Sequence, residues 1–332
     1  MASPMTPPAH APDFLASCGW RGAEILPLAG DASFRRYFRV VHGGRSAVLM
    51  DAPPPHEDPQ PFIAVAEWLV GSGLSAPQIL ARDLDKGLLL LGDFGNERLR
   101  ETLDSDPGRE RELYETATDV LVHLHSRPPM PRSRPHGMDQ WLEELMLFTD
   151  WYCPAVGADV DVNGYEAAWR GVLEPVAADG LGPVTVLRDY HAENIMLIEG
   201  RGGVAHFGLL DFQDALAGHP AYDLASVLED ARRDVPPAIE REMIDRYVTA
   251  TSTGAAFERA YWALAAQRNT RILGVFTRLW KRDNKPGYRR FQPRMWGLLE
   301  RDLAQPHLKP VRDWFDANIA PEHRREPWKQ AA

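Results

Sequence analysis

Short apolar runs separated by turn residues fill the first quarter of the chain, and stripes of helical period fill most of the remainder. ILPLAG (25–30), SFRRYFRVV (33–41), SAVLMDA (46–52), QILARD (78–83) and GLLLLGDF (87–94) read as five strands, with HGGR and LDKG as turns between them. One helix, from about Pro61 to Val70, interrupts them. Beyond residue 95 the period changes. RELYETATDVLVHLHS sets Leu113, Ala117, Val120, Leu121 and Leu124 on one helix face. PHGMDQWLEELMLFTDWYC does the same with Trp141, Leu145, Phe148 and Trp151. Further helices are expected over 222–233, 237–252, 256–282 and 291–303. Between these helical stretches, IMLIE and HFGLLDF flank GRGG and read as a hairpin. The class is therefore α+β: a sheet-rich part over 13–94, a mostly helical part over 95–332, and a proline-rich tail over 1–12 expected to be disordered.

Composition narrows the setting. A chain of 332 residues with 44% hydrophobic content can bury a sizeable core, and its length suggests two domains or lobes. A formal charge of −10 argues against nucleic acid or an anionic membrane as partner. The first residues have no apolar signal-peptide core, and no run reaches the roughly 18 apolar residues of a membrane span. Cys18 and Cys153 suggest neither a disulfide framework nor a zinc site. A cytoplasmic monomer is the expectation.

The residues that carry chemistry lie between 186 and 225. Asp189 is followed five residues later by Asn194, and Asp211 ends an apolar run. Kinase-type phosphoryl transfer needs this order: one Asp to orient a hydroxyl, then an Asn and a second Asp to hold magnesium on the nucleotide phosphates. The hairpin would bring Asn194 and Asp211 to one end although they are 17 residues apart. The competing reading is that all three merely cap turns.

RDYHAEN followed by LLDFQDALAGHPAYDLAS resembles the aminoglycoside phosphotransferase and choline kinase superfamily. That resemblance implies a bilobal protein-kinase-like fold, its small lobe a five-stranded antiparallel sheet with one helix, its larger lobe mostly helical. It also implies ATP and Mg2+ as cofactors. Phe212, Gly218, Pro220, Asp223 and Leu224 fit the family run, and His191 fits the second of two expected histidines. Leu187 stands where the first belongs. GDASFRRYFR, MDAPPPHEDPQPF, QRN and KPGY are similar to the bacterial N-acetylmuramate/N-acetylglucosamine anomeric kinases of cell-wall recycling. This narrower resemblance implies transfer of a phosphoryl group to the C1 hydroxyl of an amino sugar. Asp189 would be catalytic, Asp223 a brace for its loop, and Asn194 and Asp211 the metal ligands. The turn with Gly30, Asp31 and Ser33, continuing to Phe34 and Arg35, would cover the phosphates through backbone N–H groups. Leu91, Asp93 and Phe94 would form a hinge at the adenine edge. Glu144, Asp150 and His191 would help bind the sugar.

Two features do not follow the general plan. The lysine expected on the third strand is absent: no lysine precedes Lys86, and Met50 falls near its place, 17 residues before Glu67. Arg35, Arg36, Arg39 and Arg45 are the available replacements, and Glu67 is the candidate partner. The absence also admits a pseudokinase, and a phosphotransferase for choline, homoserine or an antibiotic would share every catalytic residue. A protein kinase fits least, because no Ala-Pro-Glu segment follows Asp211. Second, residues 268 to 294 hold nine Lys or Arg against one acid, Asp283. This is either a solvated basic helix or an anion-binding acceptor site, with Arg271 as the candidate for a carboxylate.

Overall fold

The computed structural model describes residues 5–28 and 34–325. The chain divides into two compact units, one of residues up to Pro107 together with Glu193–Asp214, the other of Gly108–Ala192 and the residues from Ala215 onward.

The first unit is built on an antiparallel sheet in the order β1-β2-β3-β5-β4. Its strands are β1 (Glu24–Pro27), β2 (Arg36–His42), β3 (Arg45–Asp51), β4 (Ile79–Asp83) and β5 (Leu88–Gly92). Period-two alternation assigns the faces. Phe38 and Val40 of β2, Ala47 and Leu49 of β3, and Leu88 and Leu90 of β5 form one cluster with Phe14, Leu15 and Trp20. Met50, Leu89 and Leu91 alternate with these and are also buried. A strand flanked on both sides and apolar at four successive positions needs cover on both faces. Helix α2 (Gln60–Gly71) buries Phe62, Ile63, Val65, Ala66 and Leu69.

Two expectations change here. Helix α1 spans Ala11–Ser17, Ala11 is fully buried, and Met5 packs on the same cluster. The fold thus begins inside the stretch read as a tail. Pro12 sits in the first helical turn, where its missing N–H costs nothing, so proline content is a misleading guide there. The unit also extends past residue 95, through helix Leu99–Ser105, and takes in the distant hairpin 193–214.

That hairpin pairs Ile195–Leu197 with Phe207–Leu209 in antiparallel register. It is tied down on both sides: Leu209 N–H donates to Ser75 O (2.7 Å), and Leu197 N–H to Glu97 O (2.7 Å). Gly208 is required by packing, since a Cβ there would lie 2.6 Å from the Phe94 ring.

The second unit is helical around Gly254–Lys281, a helix with Gln267, Arg268 and Asn269 all buried. This explains the QRN motif. Gln267 donates to Trp141 O (3.1 Å), Arg268 to Glu229 O (3.3 Å), and Asn269 to Asp302 (2.8 Å). Gly274 lets this helix touch backbone, since a Cβ there would lie 2.3 Å from the Leu147 carbonyl carbon. At that contact helix Met138–Leu147 gives way to a π-helical turn, Phe148–Tyr152. The wider turn shifts the stripe by one residue, so Tyr152 rather than Trp151 enters the core and stacks on Phe148 (4.9 Å). Helices Val162–Ala177, Lys309–Asn318 and Pro321–Arg325 are additions to those expected from the sequence pattern. A small sheet sets Leu216–Gly218 between Pro135–His136 and Val184–Val186. Among the described residues no helix is long and apolar enough to cross a membrane.

Candidate active site

Strand Val184–Val186 is fully buried and delivers the chain into the loop that carries Asp189. The loop has little regular structure of its own, so side chains hold it. Asp223, fully buried, accepts from Leu187 N–H (2.6 Å) and Arg188 N–H (2.9 Å). Burial pushes the Asp223 carboxyl up to about 7, with the two amide bonds pulling it back toward the ionised form. Ser226 donates to Arg188 O (3.2 Å), the Tyr190 hydroxyl to Ala117 O (2.9 Å), and Ala192 N–H to Asp230 (3.3 Å). Arg188 has φ 70°, a conformation that costs a non-glycine residue about 1 kcal/mol or more and persists only where neighbours over-determine it. Asp189, next in the chain, is therefore presented by a clamped backbone.

His191 faces inward. Its ring lies 3.3 Å from an Arg232 nitrogen, and burial lowers its pKa to about 4. The buried imidazole packs the loop.

The step between units falls between Ala192 and Glu193, so Asn194 and Asp211 belong to the sheet-bearing unit. The hairpin register Ile195↔Leu209 brings them together: Asn194 Nδ2 lies 3.4 Å from Asp211 Oδ2, and Leu210 N–H donates to Asn194 O (2.9 Å). Asp211 adopts φ 55°, which Asp and Asn tolerate better than other side chains. Phe212 stacks on Phe62 of α2 (5.0 Å) and fixes the turn. Here the Asn194 amide N–H faces the carboxylate, and the other Asp211 oxygen accepts from Gln213 (2.8 Å). A carboxylate and an amide oxygen from these two residues would be hard donors suited to Mg2+, which keeps most of its shell for water and phosphate. Among the described residues no cluster of three or more His, Cys, Asp or Glu forms an all-protein cage.

Of the four arginines expected as replacements for the missing lysine, Arg35 is the one found beside Asp211. Arg35, 9% exposed, places its guanidinium 3.9 Å from Glu57 and 3.9 Å from Asp211. Phe34 N–H donates to Glu57 Oε1 (3.1 Å), while the Phe34 ring is exposed and stacks on His56 (5.2 Å). Glu67 is not part of this group. It points away from the buried face of α2 and meets the edge of Arg82, at 3.8 Å. Its place is taken by Glu57, from a proline-rich loop with no periodicity to mark it. Arg36 pairs with the buried Asp51, and Arg45 stacks on Trp20 (4.7 Å).

Other expected nucleotide contacts are placed less favourably. Asp93 is spent on Arg39 (2.8 Å) and on Gly95 N–H (2.9 Å). Leu91 lies inside β5, paired with Val48 and Ile79, so the chain leaves the sheet only after Gly92. Phe94 packs on Gly208. Gly30, Asp31 and Ser33 lie outside the described residues.

On the helical unit, Asp150 is exposed on the π-helical turn. Glu144 is buried and central. It accepts from Arg188 (2.6 Å), and its other oxygen lies 3.6 Å from Arg271 Nε, 3.4 Å from His136 and 3.4 Å from Gln267. Burial pushes the Glu144 carboxyl up, but the His136 hydrogen bond and the Arg271 and Arg188 charges outweigh it and hold the group at about 2. Arg188 joins the site residues unforeseen, although it stands inside the RDYHAEN motif. Most of the remaining basic segment is already engaged. Arg282 pairs with Asp283 (2.7 Å) and Arg294 with Asp234 (2.6 Å), while Lys281 and Arg289 lie over Trp280 and Arg290 over Phe291.

Residues 24–263 match the phosphotransferase enzyme family, and the chain belongs to that family. It is 36% identical to an N-acetylmuramate/N-acetylglucosamine kinase of Caulobacter vibrioides, over 94% of this chain and 96% of that one. It is 37% identical to the protein of the same name from Pseudomonas aeruginosa, over 89% of each. Among solved structures it is similar to a choline/ethanolamine kinase family protein from Mesorhizobium loti (TM-score 0.60, 18% identity, 92% of this chain and 96% of that one). It is also similar to an ADP-bound aminoglycoside phosphotransferase (TM-score 0.52, 12% identity, 87% and 94%). The α+β protein-kinase-like class expected from the sequence is the class observed.

Proposed function

We propose that this protein transfers the γ-phosphoryl group of ATP to the anomeric C1 hydroxyl of N-acetylmuramate and N-acetylglucosamine. The observation that carries the reading is the Asn194–Asp211 pair at the end of the hairpin, 3.4 Å apart, in a chain alignable over most of its length with relatives of that name. In the reaction a bond forms between the C1 oxygen and the γ-phosphorus, the bridging bond to the β-phosphate breaks, and ADP leaves. Asp189 orients the hydroxyl and takes its proton on a carboxylate oxygen. Asn194 and Asp211 would hold magnesium, which would supply neutralisation of the phosphate charge. The protein supplies positioning and charge rather than covalent chemistry.

Arg35, held by Glu57, takes over the phosphate contact of the missing lysine. A guanidinium remains charged and offers a planar fork to phosphate oxygens. Arg35→Met should weaken Mg·ATP binding about ten- to a hundredfold by calorimetry, and Glu57→Gln should weaken it less. Unchanged affinity in Arg35→Met would remove the residue from the site.

The reading as a whole is tested by ADP release with a panel of acceptors: the two amino sugars, choline, homoserine and an aminoglycoside. Turnover confined to the amino sugars is expected. Turnover only with choline, homoserine or the antibiotic, or with nothing, rejects it.

A further inference from the structure

Glu144 meets two guanidiniums, those of Arg188 and Arg271, and Asp189 is the other carboxylate whose charge reaches Arg271. Two guanidiniums share one carboxylate in a largely buried setting, with side-chain exposures of 18% for Arg188, 20% for Arg271 and 6% for Glu144. Glu144, Asp189 and Asp230 are the acids that act on these arginines, and buried guanidiniums are costly where their donors stay unpaired. The hydrogen bonding is also incomplete. Arg271 Nε is 3.6 Å from Glu144, too far for a hydrogen bond, and among the described residues the Nε atoms of Arg188, Arg268 and Arg271 are buried without an acceptor. Arg268 adds a third positive charge next to them, its guanidinium donating to a neutral carbonyl, Glu229 O.

The group is attached to the catalytic loop. Arg188 directly precedes Asp189, and the Asp189 charge acts on both Arg271 and Arg268. An anion bound here would therefore be part of the acceptor, or an end of the nucleotide. A polycationic acceptor would be repelled. The two sugars of the proposed reaction differ in one respect that such a group can sense: N-acetylmuramate carries a lactyl ether ending in a carboxylate, and N-acetylglucosamine does not.

We propose that Arg271, braced with Arg188 on Glu144, is the subsite for a carboxylate on the acceptor, namely the lactyl carboxylate of N-acetylmuramate. The inference rests on the amino-sugar kinase reading above. Glu144 is then the counter-charge that keeps two arginines close, and it is not a sugar-hydroxyl ligand. Arginine suits the task because its fork matches a carboxylate in two-point geometry.

The test compares N-acetylmuramate with its neutral methyl ester in wild type, Arg271→Met and Arg271→Lys, reading kcat/KM for each. Wild type should favour the free acid over the ester by about ten- to a hundredfold. Arg271→Met should bring that ratio close to one, and Arg271→Lys should fall between. Each ratio is taken within one protein preparation, so partial misfolding of a variant cancels. An acid-to-ester ratio equal in wild type and Arg271→Met overturns the inference. So does a loss in Arg271→Met that follows ATP affinity and is the same for both acceptors, because the arginine then serves the nucleotide. If wild type phosphorylates neither amino sugar, the functional reading itself fails, which is a separate outcome.

Discussion

Asp189→Ala should lower kcat by at least about a thousandfold with every acceptor, while Mg·ATP affinity stays within about threefold of wild type. The expectation follows from how the residue is held. Asp223, Ser226 and Tyr190 clamp the backbone around it, so the carboxylate is presented at a fixed point before any substrate arrives. In the proposed reaction, removing it would delete both the orientation of the hydroxyl and the proton acceptor. Nucleotide contacts are assigned to other residues, Asn194, Asp211 and Arg35, so binding is spared. Asp189→Asn keeps the shape and should be nearly as inactive, since an amide cannot take the proton. Near-wild-type kcat in either variant would reject the role.

Asp211→Asn should weaken nucleotide binding by at least about a hundredfold when magnesium is present and leave metal-free binding little changed. On the proposed reading the Asp211 carboxylate would be the charged ligand, and the Asn194 amide oxygen alone would be a neutral, weaker donor. Asparagine is the preferred substitution because the residue sits at φ 55°. Alanine in that conformation would add about 1 kcal/mol of backbone strain and confuse a folding defect with a binding defect. Calorimetric titration with Mg·ATP and with metal-free ATP separates the two effects. Magnesium-dependent affinity equal to wild type would sink the assignment.

Much of this is legible in the sequence because it depends on local period. The five strands and α2 announce themselves through short apolar runs between Gly-rich turns. The 17-residue interval from Asn194 to Asp211 closes because a hairpin register is set by alternation. What stays hidden depends on contacts between distant residues. Glu57 sits in a proline-rich loop, and nothing local distinguishes it from Glu67, which helical phase turns to solvent. The π-helical turn that puts Tyr152 in place of Trp151 arises from the backbone approach at Gly274, a tertiary effect. Arg188 is easily passed over because a basic residue beside Asp189 gives no hint of φ 70° or of a buried Glu144 as its partner. Along 268–294 the excess of basic residues is real, but Asp234, Asp283 and aromatic rings engage most of them.

Phosphorus NMR of the product formed from ATP, Mg2+ and each amino sugar in turn decides whether transfer is anomeric. The expected product is a phosphate monoester whose phosphorus couples to the single C1 proton, lost on mild acid treatment as a glycosyl phosphate should be. A phosphorus coupled to the two C6 protons, or no sugar phosphate from an enzyme that still binds Mg·ATP, would refute anomeric transfer.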